Sequence, residues 1–355
     1  MRLPVLLGLG AATAAAVAAA VWAVGLGAGG PPERLGERLL PDLARRAEEV
    51  ATIEIRKPEF TVVIARDGEA WRLPERAGYA ADTAKVRQLF VELAGLRTLE
   101  AKTRSKDLYP SLDVEDRDAP GAKSTLVALR DAQGRDVVAI LAGKARYGRG
   151  GGGEDAVYVR LAGESQAWLA KGRLTVNRDA VQWLDRIVAE VARERVREAE
   201  VRQADGTTLV VRREKPSDKD FTPVDAPADR KLKSAWDVNS VAGAFDKLEL
   251  DDARRAADLP VPADAPATTI TTFDGLTVTA RFLEKDGETW VALEASAAPP
   301  DALPEGGEKL KDAAAVREEA QRINARASPW VYRLPKYVVD SMRRRMDDLL
   351  EPKAS

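Results

Sequence analysis

Residues 61–73 read Thr-Val-Val-Ile-Ala-Arg-Asp-Gly-Glu-Ala-Trp-Arg-Leu. Two strand-like runs, Thr61–Ala65 and Ala70–Leu73, flank Asp67-Gly68, a pair suited to the positive φ of a tight hairpin. Thr52–Arg56, just upstream, is a third run of the same kind. The period then changes. Asp82 is placed to cap a helix in which Val86, Leu89, Phe90, Leu93 and Leu96 recur at three- and four-residue steps. Hairpins followed by an amphipathic helix set the fold class as α+β, with antiparallel sheets covered by helices.

Further along, Tyr109-Pro110 breaks the pattern, and a second hairpin is expected from Thr125–Arg130 and Asp136–Leu141 about Gln133-Gly134. Ala156–Arg160 reads as a further strand. Trp168-Leu169 leads to an expected helix from about Arg178 to Val191 through Val181, Leu184, Ile187, Val188 and Val191. A similar order then recurs. Ala199–Arg202 and Thr208–Arg212 flank Asp205-Gly206, and Asp229 is placed to cap a helix with Leu232, Trp236, Val241, Phe245 and Leu248. Turns at Asp274-Gly275 and Asp286-Gly287, a charged helix over Leu310–Ala325, Trp330-Val331 and a last helix Lys336–Leu350 complete the chain. Matched features are offset by 138 (Gly68, Gly206), 147 (Asp82, Asp229), 141 (Gly134, Gly275) and 162 residues (Trp168, Trp330). Two tandem repeats over 51–195 and 196–355 are therefore expected, the second carrying the additional Leu310–Ala325 helix.

Ahead of them, Leu3–Gly30 is uncharged and holds ten Ala, six Gly, five Leu, four Val and one Trp. A bilayer core of about 30 Å needs about 20 apolar residues in a helix, so residues 1–30 read as a signal anchor, with 3–28 in the membrane. A cleaved secretory signal is the alternative, but its apolar region is shorter, about 7–15 residues. Gly8, Ala12, Ala16 and Ala20 form a small-xxx-small series, a pattern that Ala-rich composition produces by default. Arg34, Arg38, Arg45 and Arg46 after the span, against Arg2 before it, favour a cytoplasmic body; an N-terminal span with one leading Arg has the form of an export signal. Residues 31–50 read as a stalk or a helix packed on the body, from Leu35, Leu39, Leu40 and Leu43.

Composition narrows the chemistry. Fifty-five basic and 57 acidic residues give a formal charge of −2, without the basic footprint of a nucleic-acid binder. Cysteine and histidine are both absent, which removes disulfides, thiolate and imidazole metal sites, and Cys- or His-based catalysis. Gly148–Gly153 lacks the Lys-Ser/Thr of a phosphate loop and is followed by Glu154-Asp155, so it reads as a hairpin tip. The acidic clusters Asp113–Asp118 and Asp246–Asp252 lack calcium-loop spacing and read as solvated loops. Arg343-Arg344-Arg345, between Met342 and Met346, reads as a solvated helix face, with lipid headgroups the functional alternative. No catalytic, cofactor or metal residue is assigned. Of seven Trp, Trp71, Trp168, Trp290 and Trp330 adjoin strand-like runs, and Trp183 and Trp236 fall within expected helices; most read as core, one or two as interface anchors.

Trp71-Arg72-Leu73-Pro74, Tyr79-Ala80-Ala81-Asp82, the helix ending Leu93-Ala94-Gly95-Leu96, and Leu108-Tyr109-Pro110-Ser111-Leu112 together resemble the family called domain of unknown function 4340. Pro110-Ser111 stands where the family commonly shows Gly. The resemblance implies a bacterial envelope protein anchored in the inner membrane with its body in the periplasm, accessory to an ABC transporter of the gliding-motility type. The expected function is a non-catalytic binding or scaffold subunit contacting ABC transporter membrane subunits. An envelope polymer- or lipid-binding module is the alternative, marked by exposed aromatics in a groove. A carboxylate enzyme comes third and would need two close acids in a cleft.

Overall fold

The computed structural model describes residues 35–148 and 154–352. The expected signal anchor over 1–30 and most of the glycine-rich tip lie outside the described residues. Among those described, no helix is long and apolar enough to cross a membrane.

The fold is α+β, built on antiparallel strand pairs. Strands β1 (Val50–Lys57), β2 (Phe60–Asp67), β3 (Ala70–Leu73) and β4 (Tyr79–Ala80) precede helix α1 (Thr83–Gly95) and β5 (Arg97–Thr103). After them come β6 (Thr125–Asp131), β7 (Asp136–Arg146), β8 (Ala156–Leu161) and β9 (Ala167–Lys171). They lie in the order β4-β3-β2-β1-β6-β7-β8-β9-β5. The later chain supplies β10 (Ile187–Ala189), β11 (Val196–Arg202), β12 (Thr208–Arg212) and β13 (Thr222–Pro223), then helix α2 (Ala235–Gly243) and β14 (Leu248–Glu249). Strands β15 (Asp252–Arg255), β16 (Ala267–Thr272), β17 (Leu276–Lys285) and β18 (Glu288–Ala297) lead to helix α3 (Ala313–Ala327), β19 (Trp330–Arg333) and helix α4 (Lys336–Met342). The second large sheet runs β13-β12-β11-β16-β17-β18-β19-β15, and β10 pairs with β14 separately. Apart from β4, the two large sheets have the same strand order, with α3 standing where a short turn joins β8 to β9. In that order β11 and β12 correspond to β1 and β2. Asp205-Gly206, which joins β11 to β12, is therefore not the counterpart of Asp67-Gly68, which joins β2 to β3; the 138-residue offset matched successive hairpins.

By compactness the chain divides into two units, residues up to 61 with 88–176, and 62–87 with 177 onwards. In the first, β6 is buried at every position but Arg130, as expected of a strand covered on both faces. Residues 36–39 pair along β5 (Gly36 N–H to Thr98 O 2.7 Å, Leu39 N–H to Leu96 O 2.8 Å) while Leu39, Leu40 and Leu43 are buried. The leucine spacing here becomes helix only over Leu43–Arg46. Tyr109–Leu112 makes one helical turn with Pro110 in its first positions, where the missing N–H costs nothing. Gly143 on β7 passes so close beneath that turn that a Cβ there would lie 2.1 Å from Leu112 O.

The second unit departs from expectation in three places. No helix spans Arg178–Val191. Asp179 caps a single 3-10 turn, Ala180–Trp183, and Leu184 is extended. The chain then finds backbone partners on both sides: Asp185 N–H to Ala80 O 2.9 Å, Leu250 N–H to Arg186 O 2.9 Å and Val191 N–H to Phe245 O 2.9 Å. Branched Ile187 and Val188 suit that extended pairing better than a helix. Helix α2 begins after Ser234, whose Oγ accepts the Asp237 N–H at 3.2 Å, and not at Asp229. The expected helix Lys336–Leu350 stops at Met342 and restarts only over Met346–Leu349. Gln203 Nε2 donates to the freed carbonyls of Arg343 (2.8 Å) and Arg344 (3.2 Å), and Arg345 is extended.

Candidate functional site

The charged clusters singled out from sequence are tied into the fold. In the Asp113–Asp118 loop, Asp116 accepts from Arg160, which is buried and donates also to Val114 O (2.9 Å) and Glu164 O (2.8 Å). Glu115 in the same loop is buried, while Asp116 and Asp118 are exposed, so the loop is anchored at its centre and solvated beyond it. In Asp246–Asp252, Asp246 accepts the Arg193 N–H (3.2 Å), Glu249 pairs with Lys247 (2.7 Å), Asp251 with Arg186 (3.4 Å) and Asp252 with Arg76 (3.5 Å). The three arginines at 343–345 are not one solvated face. Arg343 pairs with Glu284, Arg344 with Asp237 at 3.0 Å and Arg345 with Asp205 at 2.7 Å, so each anchors a different element. A cavity of about 890 Å³ beside them is lined by these paired groups. Among the described residues, no group of three or more His, Cys, Asp or Glu is placed to hold a metal ion.

The most buried charge lies in the turn between β16 and β17. Asp274, fully buried, accepts from Arg195 Nε (2.8 Å) and Nη2 (3.1 Å), Thr272 Oγ1 and the Lys311 N–H (2.9 Å). Arg195 Nη1 donates to Glu319 of α3 at 2.9 Å, and Lys311 Nζ lies 3.0 Å from the same carboxylate. Burial alone would push the Asp274 carboxyl up; the bonds from Arg195, Thr272 and the backbone outweigh it and hold the pKa below its ordinary value. The cluster fastens α3 to the sheet.

The large apolar side chains left exposed include two aromatics, one on α2 and one on α4. Trp71, Trp183, Trp290 and Trp330 are buried, but Trp236 on α2 is 69% exposed and Tyr337 on α4 is 74% exposed. Helix α2 buries Val238, Val241 and Ala242, with Asn239 held by the Phe221 N–H (2.8 Å) and Asp220 (2.6 Å). Trp236 precedes Val241 by five residues, about 140° round the helix, which carries it off the buried stripe. That spacing was the signal available in the sequence. Helix α4 buries Val338, Val339 and Met342 and leaves Tyr337 out. Both aromatics line one groove of about 580 Å³ with Ser240, Gly243, Val338 and Ser341. The Arg344 guanidinium lies 5.8 Å from the Trp236 ring while paired with Asp237, fixing that side of the groove. Arg193 on the opposite side makes no ion pair among the described residues. The neighbouring Glu194 carboxyl is held below its ordinary value, first by its own backbone N–H and then by Lys309 at 3.2 Å. The arrangement offers ring faces, donors and acceptors for recognition.

No curated protein matches the chain. A family model does match, over residues 71–273, from β3 to the residue after β16, which is more than half of the 355 residues. On that match the chain belongs to the family described as Domain of unknown function (DUF4340).

Proposed function

We propose that this chain is a non-catalytic binding subunit, anchored in the bacterial inner membrane by residues 3–28, with its body in the periplasm as an accessory to an ABC transporter complex. The supporting observation is chemical: the three consecutive arginines are engaged in ion pairs within the chain, while the exposed large groups beside a groove are Trp236 and Tyr337. Such side chains suit recognition, since Trp, Tyr and Arg dominate binding hot spots. The uncharged leader supports the membrane assignment. The common strand order of the two sheets supports an origin by tandem duplication, with α3 as the later addition. The transporter association rests on the family resemblance.

Mild solubilisation and affinity purification through a C-terminal tag test the association. Transporter membrane subunits should co-purify; recovery of the chain alone removes the accessory reading. A C-terminal reporter active only outside the cytoplasm tests the topology, and a cytoplasmic signal overturns the periplasmic placement. A second reading, an envelope polymer- or lipid-binding module, is favoured by the aromatic rim of the α2–α4 groove.

A further inference from the structure

The α2–α4 groove is specific enough to name the chemistry of an occupant. Six charged residues line it: Arg193, Lys247 and Arg344 against Glu194, Asp246 and Asp340. Three of each sign leave no net field to draw a polyanion or polycation. Its small polar residues, Ser240 and Ser341, donate to carbonyls of their own helices, Asp237 O at 2.8 Å and Tyr337 O at 3.0 Å, which leaves their lone pairs to accept. The Arg193 guanidinium, without an ion pair, is a donor in hand. Its stem lies along α2, where a Cβ at Gly243 would make ordinary contact with Arg193 Cδ at 3.6 Å. Six charged residues among fourteen are more than the charge-depleted core of a protein interface carries, and they interrupt the apolar wall that an acyl chain needs. Two exposed ring faces over a mixed floor, apolar at Ala244 and Val338 and charge-balanced around them, match a ligand with apolar C–H faces and a rim of hydroxyls.

We propose that the groove between α2 and α4 binds an uncharged glycan, whose pyranose rings stack on Trp236 and Tyr337 while their hydroxyls bond to Arg193, Asp246 and the two serines. The volume of about 580 Å³ falls within the ordinary range for small-ligand sites, roughly 300–1,000 Å³. The proposal rests on the reading of the chain as a binding module and deepens its polymer-binding form; it does not depend on the transporter.

The test uses the full chain in a detergent without a sugar headgroup. Cellohexaose, maltohexaose and an N-acetylglucosamine hexamer are titrated separately, followed by tryptophan fluorescence and calorimetry, with polyphosphate and anionic vesicles as parallel arms. At least one neutral hexasaccharide should bind saturably and shift the emission of Trp236 to the blue. Trp236→Ala and Tyr337→Ala should each weaken it about tenfold or more, with Trp236→Phe retaining most of the affinity. Both sites are exposed, so unchanged circular dichroism melts will confirm that the variants fold. Failure of all three sugars to bind overturns the proposal, as does unchanged affinity in both alanine variants, or binding confined to vesicles or polyphosphate. Glycan binding without a co-purifying transporter subunit would remove only the accessory reading, and the converse result would remove only this one.

Discussion

Replacing Asp274 with alanine should open α3 and the β16–β17 corner while leaving the first unit untouched. In the wild type the carboxylate is fully buried and satisfies two guanidinium bonds from Arg195, the Thr272 hydroxyl and the Lys311 N–H. Arg195 is itself only 2% exposed, so the variant leaves a buried cation with one carboxylate, Glu319, in place of two. Breaking a buried pair by removing one partner costs about 3–5 kcal/mol, mostly as the penalty on the charge left behind. That corresponds to about two to four decades in the rate at which local amides exchange with solvent. Hydrogen exchange read by mass spectrometry on peptides covering β11, β16 and α3, with β6–β7 peptides as reference, measures it region by region. A loss below about 1 kcal/mol at those peptides, or an equal loss at β6–β7, refutes the reasoning. An Arg195→Met, Asp274→Leu, Glu319→Leu triple variant should recover most of the loss, because an apolar substitute carries no desolvation penalty. The pH dependence has a definite sign. The folded carboxyl lies below the ordinary value, so its stabilising effect is fully present above the unfolded pKa, about 3.9, and is lost as pH falls through the folded one. Asp274→Asn, which cannot titrate, should lack that part of the acid response.

Other outcomes follow from single contacts. Gly275 has φ +88°, and a Cβ there would stand 2.3 Å from Ala298 O and 2.6 Å from Pro299 Cα; at Gly68, φ +61°, nothing lies within 4 Å. Gly68→Ala should cost about 1–2 kcal/mol from the left-handed backbone, and Gly275→Ala at least about 2 kcal/mol more from overpacking, compared by thermal melts. Trp290→Ala, at a side chain 1% exposed, should cost about 3–5 kcal/mol, whereas Trp236→Ala should stay within about 0.5 kcal/mol by the same measurement. Asp205 accepts from the Thr207 hydroxyl and N–H and from Arg345, which bring its pKa down to about 2. Its link between the β11–β12 turn and the segment after α4 therefore holds above pH of about 4 and is lost as pH falls through about 2; carboxyl chemical shifts should report that midpoint, and Asp205→Asn should remove the transition.

What could be read from the residues was what is decided within a few residues. Asp67-Gly68, Gln133-Gly134, Asp274-Gly275 and Asp286-Gly287 turn where expected because each glycine takes a positive φ that few others adopt. Asp82 caps α1 through Oδ1 bonds to the Ala84 and Lys85 N–H groups, again a local matter. Two of the misreadings share one cause, a partner remote in sequence. Arg178–Val191 has helical spacing, but Tyr79–Ala81 and Leu248–Leu250 offer its backbone another set of bonds. The final helix stops where remote partners take the carbonyls: Thr268 Oγ1 donates to Met342 O, and Gln203, 140 residues before Arg343, donates to Arg343 O just past the helix. The candidate groove fell between these cases. Of the stripe expected through Leu232, Trp236, Val241, Phe245 and Leu248, the last three are buried, while Leu232 and Trp236 are exposed.

Among the described residues of this chain, which is 32% charged, three arginines are buried: Arg160, Arg195 and Arg213. Arg160 donates to Val114 O and Glu164 O and stacks 4.3 Å from the Tyr109 ring. Arg213 bonds the main-chain oxygens of Val196, Asp218 and Arg193 and lies 4.5 Å from the Phe221 ring. Loop carbonyls of this kind would otherwise need buried water, since an unpaired buried polar group costs about 1–3 kcal/mol. One guanidinium, with five donors in a fixed plane, satisfies several at once and keeps an apolar face for an aromatic ring. Arg213 does so without a carboxylate within its bonds, and burial depresses its pKa as a result. Arginine thus serves in both units as a substitute for ordered solvent. An arginine used in that way has its donors already engaged. Arg193 differs from Arg160 and Arg213 in this respect: its backbone is held by Asp246 while its guanidinium stays unpaired beside Trp236 and Tyr337.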